Sequence, residues 1–168
     1  MAKVEIVGIT PEGALYVARN MRAKDRQEVY ALMFDAASDE DVARAACQTP
    51  DTAWEFRVDG RPVSVMGVTP LWPGVWSAWM LATDEYLKVI LAMTKLCRRV
   101  IMPMLWNAGA HRLEAKSVSH HHVAHGWLEH MGATLENVLE NYGKNGEDFY
   151  VFAWLRKNFD NLQSVWGG

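Results

Sequence analysis

The sequence lacks several things that would have fixed its class at once. No run of about eighteen apolar residues occurs, which excludes a membrane-spanning helix. The opening MAKVEIVGIT has no positive segment followed by an apolar stretch, so no secretory signal is expected. Cysteine is limited to Cys47 and Cys97, too few and too far apart for a zinc or redox motif, so two buried thiols in a reducing compartment are expected. Positive charge is also scarce: 17 Lys+Arg stand against 20 Asp+Glu. That balance disfavours nucleic acid or an anionic membrane as partner. Lys95, Arg98 and Arg99 come nearest to a basic cluster and read as the solvated side of a helix.

What is present is apolar bulk. Half of the 168 residues are hydrophobic, enough for a core without disulfides or metal. The eight tryptophans are dispersed along the chain, as core or interface anchors would be, rather than clustered as a stacking platform.

Patterning supplies the element order. A short strand, Val4 to Thr10, ends at Pro11, which suits the first position of a helix running to about Met21. Val29, Leu32 and Met33 stand at helical spacing in a second helix, and Ser38 caps a third with Asp39 and Glu40 in its first turn. Trp54, Phe56 and Val58 alternate with charged residues, and Asp59-Gly60 predicts a hairpin turn. The hairpin continues to about Gly67, a loop covers Pro70 to Gly74, and a strand follows from Val75 to Ala82. A long helix is expected from Thr83 to Trp106, with Leu87, Ile90, Leu91, Thr94, Cys97, Ile101, Met104 and Leu105 on its inner face. Pro103 should bend or end it. Then come a strand from Arg112 to Val118, a helix from His121 to His130 stopped at Gly132, and strands to Val138 and over Asp148 to Leu155. Residues 1–156 are expected as one domain and 157–168 as a mobile tail.

All six histidines fall between His111 and His130. His121 and His125 share a helix face, a spacing that can bind zinc, but HHVAH has His122 where a zincin has glutamate. Structural and surface histidines are therefore the preferred reading over metal ligands or an acid/base catalyst, and no metal is expected.

The order of elements, with NMRAKDRQEV, VDGRPVSVMGV, WMLATDE, HGWLEHMGA and YGKNGEDFYVFAW in sequence, resembles the GNAT (Gcn5-related N-acetyltransferase) superfamily over roughly residues 20 to 155. The resemblance is sharper to GNAT-like proteins of tailed bacteriophages, including internal virion proteins. It implies an α+β, three-layer GNAT-like fold: a mixed, mostly antiparallel sheet with a splayed central strand pair, flanked by helices.

The resemblance also assigns positions. In the family, the pyrophosphate of acetyl-CoA sits on the glycine-containing loop and first turn that join the fourth strand to the long helix, where backbone amides and the helix end favour the charge. The matching positions here are Met80, Leu81, Ala82, Thr83, Tyr86 and Leu87. Glycine and a basic residue are missing from Leu81–Leu87, while Asp84 and Glu85 are present. Thr83 or Asp84 is expected to cap the long helix, and the two acids to complement its positive end and repel a diphosphate. The catalytic tyrosine of the family falls at Leu128, and the asparagine that often opens that helix falls at His121. Glu55 and Glu114 are the strand carboxylates left as candidate bases, with His121 as a third candidate.

The reading that results is a catalytically degenerate GNAT-like phage protein, acting in virion morphogenesis or as an internal virion or interaction protein. Its expected partners are other phage structural or host proteins, with a homo-oligomer possible and no cofactor. The alternative is an active N-acetyltransferase using acetyl-CoA on an amine of a small molecule or protein. A more remote third is a phage effector of a host protein. Host cytoplasm or virion is the expected location.

Overall fold

The computed structural model describes residues 1–166, so the expected Gly167-Gly168 end lies outside the described residues. The elements run β1 (Val4–Gly8), α1 (Pro11–Arg19), α2 (Ala23–Ala31), α3 (Asp39–Ala46), β2 (Ala53–Val58), β3 (Arg61–Trp72) and β4 (Val75–Ala82). They continue with α4 (Ile90–Leu96), α5 (Met102–Asn107), β5 (Arg112–Val118), α6 (His122–His130), β6 (Thr134–Leu139), β7 (Phe149–Leu155) and α7 (Phe159–Trp166). The strand order is β1-β2-β3-β4-β5-β7-β6. β1–β2, β2–β3, β5–β7 and β6–β7 pair antiparallel, and β4–β5 pairs parallel. That is the mixed, mostly antiparallel α+β sheet expected. The β4–β5 pairing covers only Val75–Ser77 against Arg112–Glu114, which is the expected splay.

The chain forms two compact units, residues 1–69 with 79–93, and residues 70–78 with 94–168. In the first, Ala14, Val17 and Ala18 of α1 pack with Val42, Ala43 and Ala46 of α3, and with Val65 and Leu81. Small residues on both helices permit close approach, and both helices are capped at their start. The Thr10 side chain accepts from Gly13 N, and Ser38 forms a capping box with Asp41. The Asp59-Gly60 turn has φ of 50° and 79°, the left-handed pair that a tight hairpin needs. β3 runs beyond Gly67 to Trp72, so the expected loop shrinks to Pro73-Gly74. Pro70 is exposed near the strand's end, where a missing N–H costs little.

In the second unit, β5 and β7 pair along seven residues each, and Phe149, Phe152, Met102, Leu105 and Met131 are fully buried. The expected tail forms α7 instead. Phe159 is buried with its ring edge-on to Trp106 at 5.5 Å, and Leu162 lies where a side chain on Gly132 (φ +88°) would be. The spacing Phe159, Leu162, Trp166 makes one apolar helix face, which outweighs the turn preference of Asn158 and Asn161.

The long helix departs most from expectation. Thr83 to Val89 is a turn segment containing a 3-10 turn at Tyr86–Lys88, and α4 begins only at Ile90. A π-helical turn, Cys97–Ile101, separates α4 from α5. Val89, Met93, Cys97, Ile101 and Leu105, each four apart, form one buried row, with Met102 and Trp106 buried beside it, whereas Leu87 and Leu91, expected on the inner face, are exposed. Steps of four drift about 40° per turn on an α-helix of 3.6 residues per turn, and one widened turn takes up that drift. Pro103 has no N–H to offer the Arg99 carbonyl, so it removes an α-helical bond where the wide turn ends.

Candidate functional site

The first unit holds the stretch that the resemblance assigns to acetyl-CoA. Leu81 is buried in the core, Met80 and Tyr86 are half-buried, and Leu87 is exposed. Thr83 N donates to Val63 O on β3 (2.9 Å), so by the alternation of strand bonding Ala82 presents its N–H and C=O to the opposite edge of β4. That edge is occupied by the α1–α2 connection. Arg22 N donates to Ala82 O (2.8 Å), and Ala82 N donates to Asp25 Oδ2 (2.8 Å). Met21 and Thr83 form a β-bridge beside them.

Asp25 is set in place by Arg22. The guanidinium donates through Nε to Oδ2 (3.1 Å) and through Nη2 to Oδ1 (2.7 Å), with side chains only 10% and 4% exposed. Arg22 also lies over the Tyr86 ring, 4.2 Å from its centroid. A planar, weakly hydrated cation suits such a bidentate and stacked position. Tyr86, expected as a cofactor contact, thus backs the pair that fills the β4 edge. Sequence reading missed Arg22 and Asp25; the Arg-x-x-Asp spacing at a helix start was the only signal available.

Four amides of the segment are likewise engaged. Glu85 N donates to Thr83 Oγ1 (3.3 Å), Tyr86 N to Thr83 O (3.1 Å), Lys88 N to Glu85 O (3.0 Å) and Val89 N to Tyr86 O (3.0 Å). Thr83 therefore closes its own turn and does not cap a long helix. Glu85 accepts from Arg61 and from Lys88, so the loop's negative charge is offset by two cations.

The hydrogen bonds from Lys88 and Arg61 hold the Glu85 carboxyl below its ordinary value of 4.5. A carboxyl depressed in the folded state contributes stability that is fully present above the ordinary value and is lost as pH falls through the lowered one. The Arg61–Glu85–Lys88 tie is therefore expected to persist through pH 4.5 and to open only below it. An NMR titration of the Glu85 side-chain carbon checks this, and a midpoint at or above 4.5 contradicts it.

Glu55 is also in the first unit but serves the start of α1. It is fully buried, accepting from Thr10 N (3.2 Å), Thr10 Oγ1 (2.8 Å) and Arg57 Nε (2.6 Å). With both oxygens bonded, it fits an anchor for the α1 cap better than a base.

Glu114 and His121 belong to the second unit. Burial pushes the Glu114 carboxyl up, but hydrogen bonds from Lys116 and Arg112 outweigh it and leave the group below its ordinary value. A carboxylate held ionised between two cations is a weak proton acceptor near neutral pH. His121 is buried at the N-cap position of α6. His125 is buried with Nε2 3.1 Å from Val118 O, and its ring lies against Tyr150 and Phe152. Among the described residues no group of three metal-ligating side chains converges. Leu128, at the family's tyrosine position, is buried and apolar.

No protein-family model and no curated protein matches the sequence. Solved structures do match in fold. A GNAT-family acetyltransferase from Bacillus anthracis superposes with TM-score 0.69 at 11% identity, covering 94% of this chain and 98% of that one. The ribosomal-protein-S18-alanine N-acetyltransferase from Escherichia coli gives TM-score 0.66 at 14% identity, with 91% and 94% covered. A Salmonella typhimurium protein solved with its cofactor acetyl-CoA gives 0.68 at 12% identity, with 90% and 93% covered. The chain has the GNAT acetyltransferase fold.

Proposed function

We propose that this chain uses the acetyltransferase fold as an interaction scaffold without transferring acetyl groups, in the assembly or the interior of a phage particle. One observation carries the loss of catalysis. The β4 edge at Ala82 and the amides of Glu85, Tyr86, Lys88 and Val89 are bonded within the chain, so a pantetheine and diphosphate would have to break those bonds to bind. Leu128 in place of an acidic hydroxyl, and the internally bonded Glu55 and Glu114, support the same reading. The phage setting rests on the resemblance of the motifs between residues 20 and 155, and its partners are phage structural or host proteins. Exposed Leu32, Phe34, Leu87 and Leu91 offer apolar surface for such contacts. Among the described residues no helix is long and apolar enough to cross a membrane.

A second reading, an acetyl-CoA-dependent N-acetyltransferase, draws on the shared fold and on Arg61 and Lys88, two cations beside the loop. Calorimetric and thermal-shift titration with acetyl-CoA separates the two. The scaffold reading expects no shift at millimolar ligand; a low-micromolar dissociation constant would instead give about 2.7 kcal/mol of stabilisation at a hundredfold excess. Replacing Asp84 with Gly and Glu85 with Arg leaves the Ala82 edge blocked, so affinity is expected to stay negligible. Mass spectrometry of purified virions tests the setting, and consistent absence of the chain there overturns a place inside the particle.

A further inference from the structure

The second unit contains a cavity of about 620 Å³ lined by Thr94, Lys95, Arg98, Arg99, Pro103, Gln163 and Trp166. We propose that it binds a nucleoside monophosphate, with the phosphate held by Lys95, Arg98 and Arg99 and the base against Trp166.

The helix register builds the wall. Lys95, Arg99 and Pro103 are four apart, as are Thr94 and Arg98, and the π turn Cys97–Ile101 lies in the middle. On a regular α-helix such rows drift around the axis; the wide turn keeps both facing the cavity, and π turns are frequent at functional sites. Three cations thus converge on one concavity of a chain whose net charge is −3. None of the three is in an ion pair among the described residues, whereas Arg19, Arg22, Arg26, Arg44, Arg57, Arg61 and Arg112 all are.

Arg98 is pre-set. It donates to His130 O (3.0 Å) and lies over the Trp166 ring at 5.3 Å, and its Nε–H is buried with no acceptor among the described residues. With Lys95, Arg98 and Arg99 all outside any ion pair among the described residues, donors exceed acceptors on this wall, which favours an anionic ligand. Trp166 is half-buried on the cavity wall, braced by Phe159 at 6.3 Å, and supplies a flat apolar surface. Gln163 adds an amide that can donate and accept, as a base or ribose requires. The volume suits a mononucleotide, and a single compact cluster of cations does not follow a polynucleotide backbone.

The test is calorimetry on the full chain with AMP and, separately, with inorganic phosphate. AMP is expected to bind and phosphate to compete with it. Lys95→Gln with Arg99→Gln alters two exposed side chains, so the circular dichroism spectrum should not change, while AMP affinity falls roughly tenfold or more. Trp166→Leu should weaken AMP and leave phosphate competition intact. No heat with AMP at millimolar concentration overturns the proposal, as does AMP affinity unaltered by Lys95→Gln with Arg99→Gln, or by Trp166→Leu. The site is independent of the scaffold reading. Acetyl-CoA binding that disappears with Lys95→Gln and Arg99→Gln belongs to this cavity through its nucleotide, and binding that survives them belongs to the β4 loop.

Discussion

Replacing Asp25 with alanine is expected to cost about 3–5 kcal/mol, a fall in melting temperature on the order of 10 °C for a chain of this length. Two effects add. The Arg22 guanidinium loses both hydrogen bonds while its side chain is only 10% exposed, and Ala82 N loses its acceptor at a buried position. Removing one member of a buried pair leaves a charge that water cannot reach, which costs far more than the pair contributes on its own. Asp25→Asn retains an acceptor for Ala82 N and should lose less. Arg22→Met with Asp25→Leu removes both charges and should recover part of the loss. Urea denaturation of the four proteins decides this: an Asp25→Ala variant within 1 kcal/mol of the parent would show that the pair does not hold the α1–α2 connection to β4. The same variant frees the Ala82 amide, so it is also where acetyl-CoA binding would first appear if occupancy is what excludes it.

The fold was legible because its signals are local and repeat. Alternation at Trp54, Phe56 and Val58, the Asp59-Gly60 turn, the Ser38 cap and the Gly132 stop each specify a backbone state within a few residues. The long helix was legible as an element but not in its phase. Leu87 and Leu91 fit a regular inner row as well as Val89 and Met93 do, and only the turn at Tyr86–Lys88 and the π turn decide between the rows. The C-terminal helix was missed for a related reason. Its apolar residues are few, and what holds them is packing on distant partners, Trp106 and Gly132, that no local window contains.

The site was legible only as a departure from a pattern. Missing glycine and the two acids marked Leu81–Leu87 as unlike an acetyl-CoA loop, and in the structure one of those acids, Glu85, is paired with Arg61 and Lys88. Arg61 lies far from Glu85 in sequence, and Asp25 far from Ala82, so neither the neutralised loop nor the occupied strand edge can be read from local composition. Glu55 shows the opposite case. A glutamate within a strand looked like a solvated side chain or a base, and its role became clear only with the partner that cannot be seen in a sequence, the missing side chain at position 13.

Gly13→Ala is expected to destabilise the protein by about 2–4 kcal/mol, although alanine is ordinarily the better helix former. Gly13 is in the first turn of α1, and a Cβ built on it falls 2.0 Å from Glu55 Oε2, far inside contact distance. The carboxylate has no slack to retreat, because Thr10 and Arg57 hold both oxygens. Glu55→Ala should cost about 2–3 kcal/mol by itself: Thr10 N and Oγ1 lose their acceptor, and the penalty for Arg57 is moderated by its 29% exposure. In the Glu55→Ala background the clash is gone, so Gly13→Ala should change sign and stabilise by about 0.5–1 kcal/mol. The double-mutant cycle measured by chemical denaturation carries the inference, since a coupling near zero would mean that the cradle at Gly13 does not confine the Glu55 carboxylate. A coupling above about 2 kcal/mol would show that position 13 is glycine because a buried anion occupies the space of its side chain, and not for any freedom of its backbone.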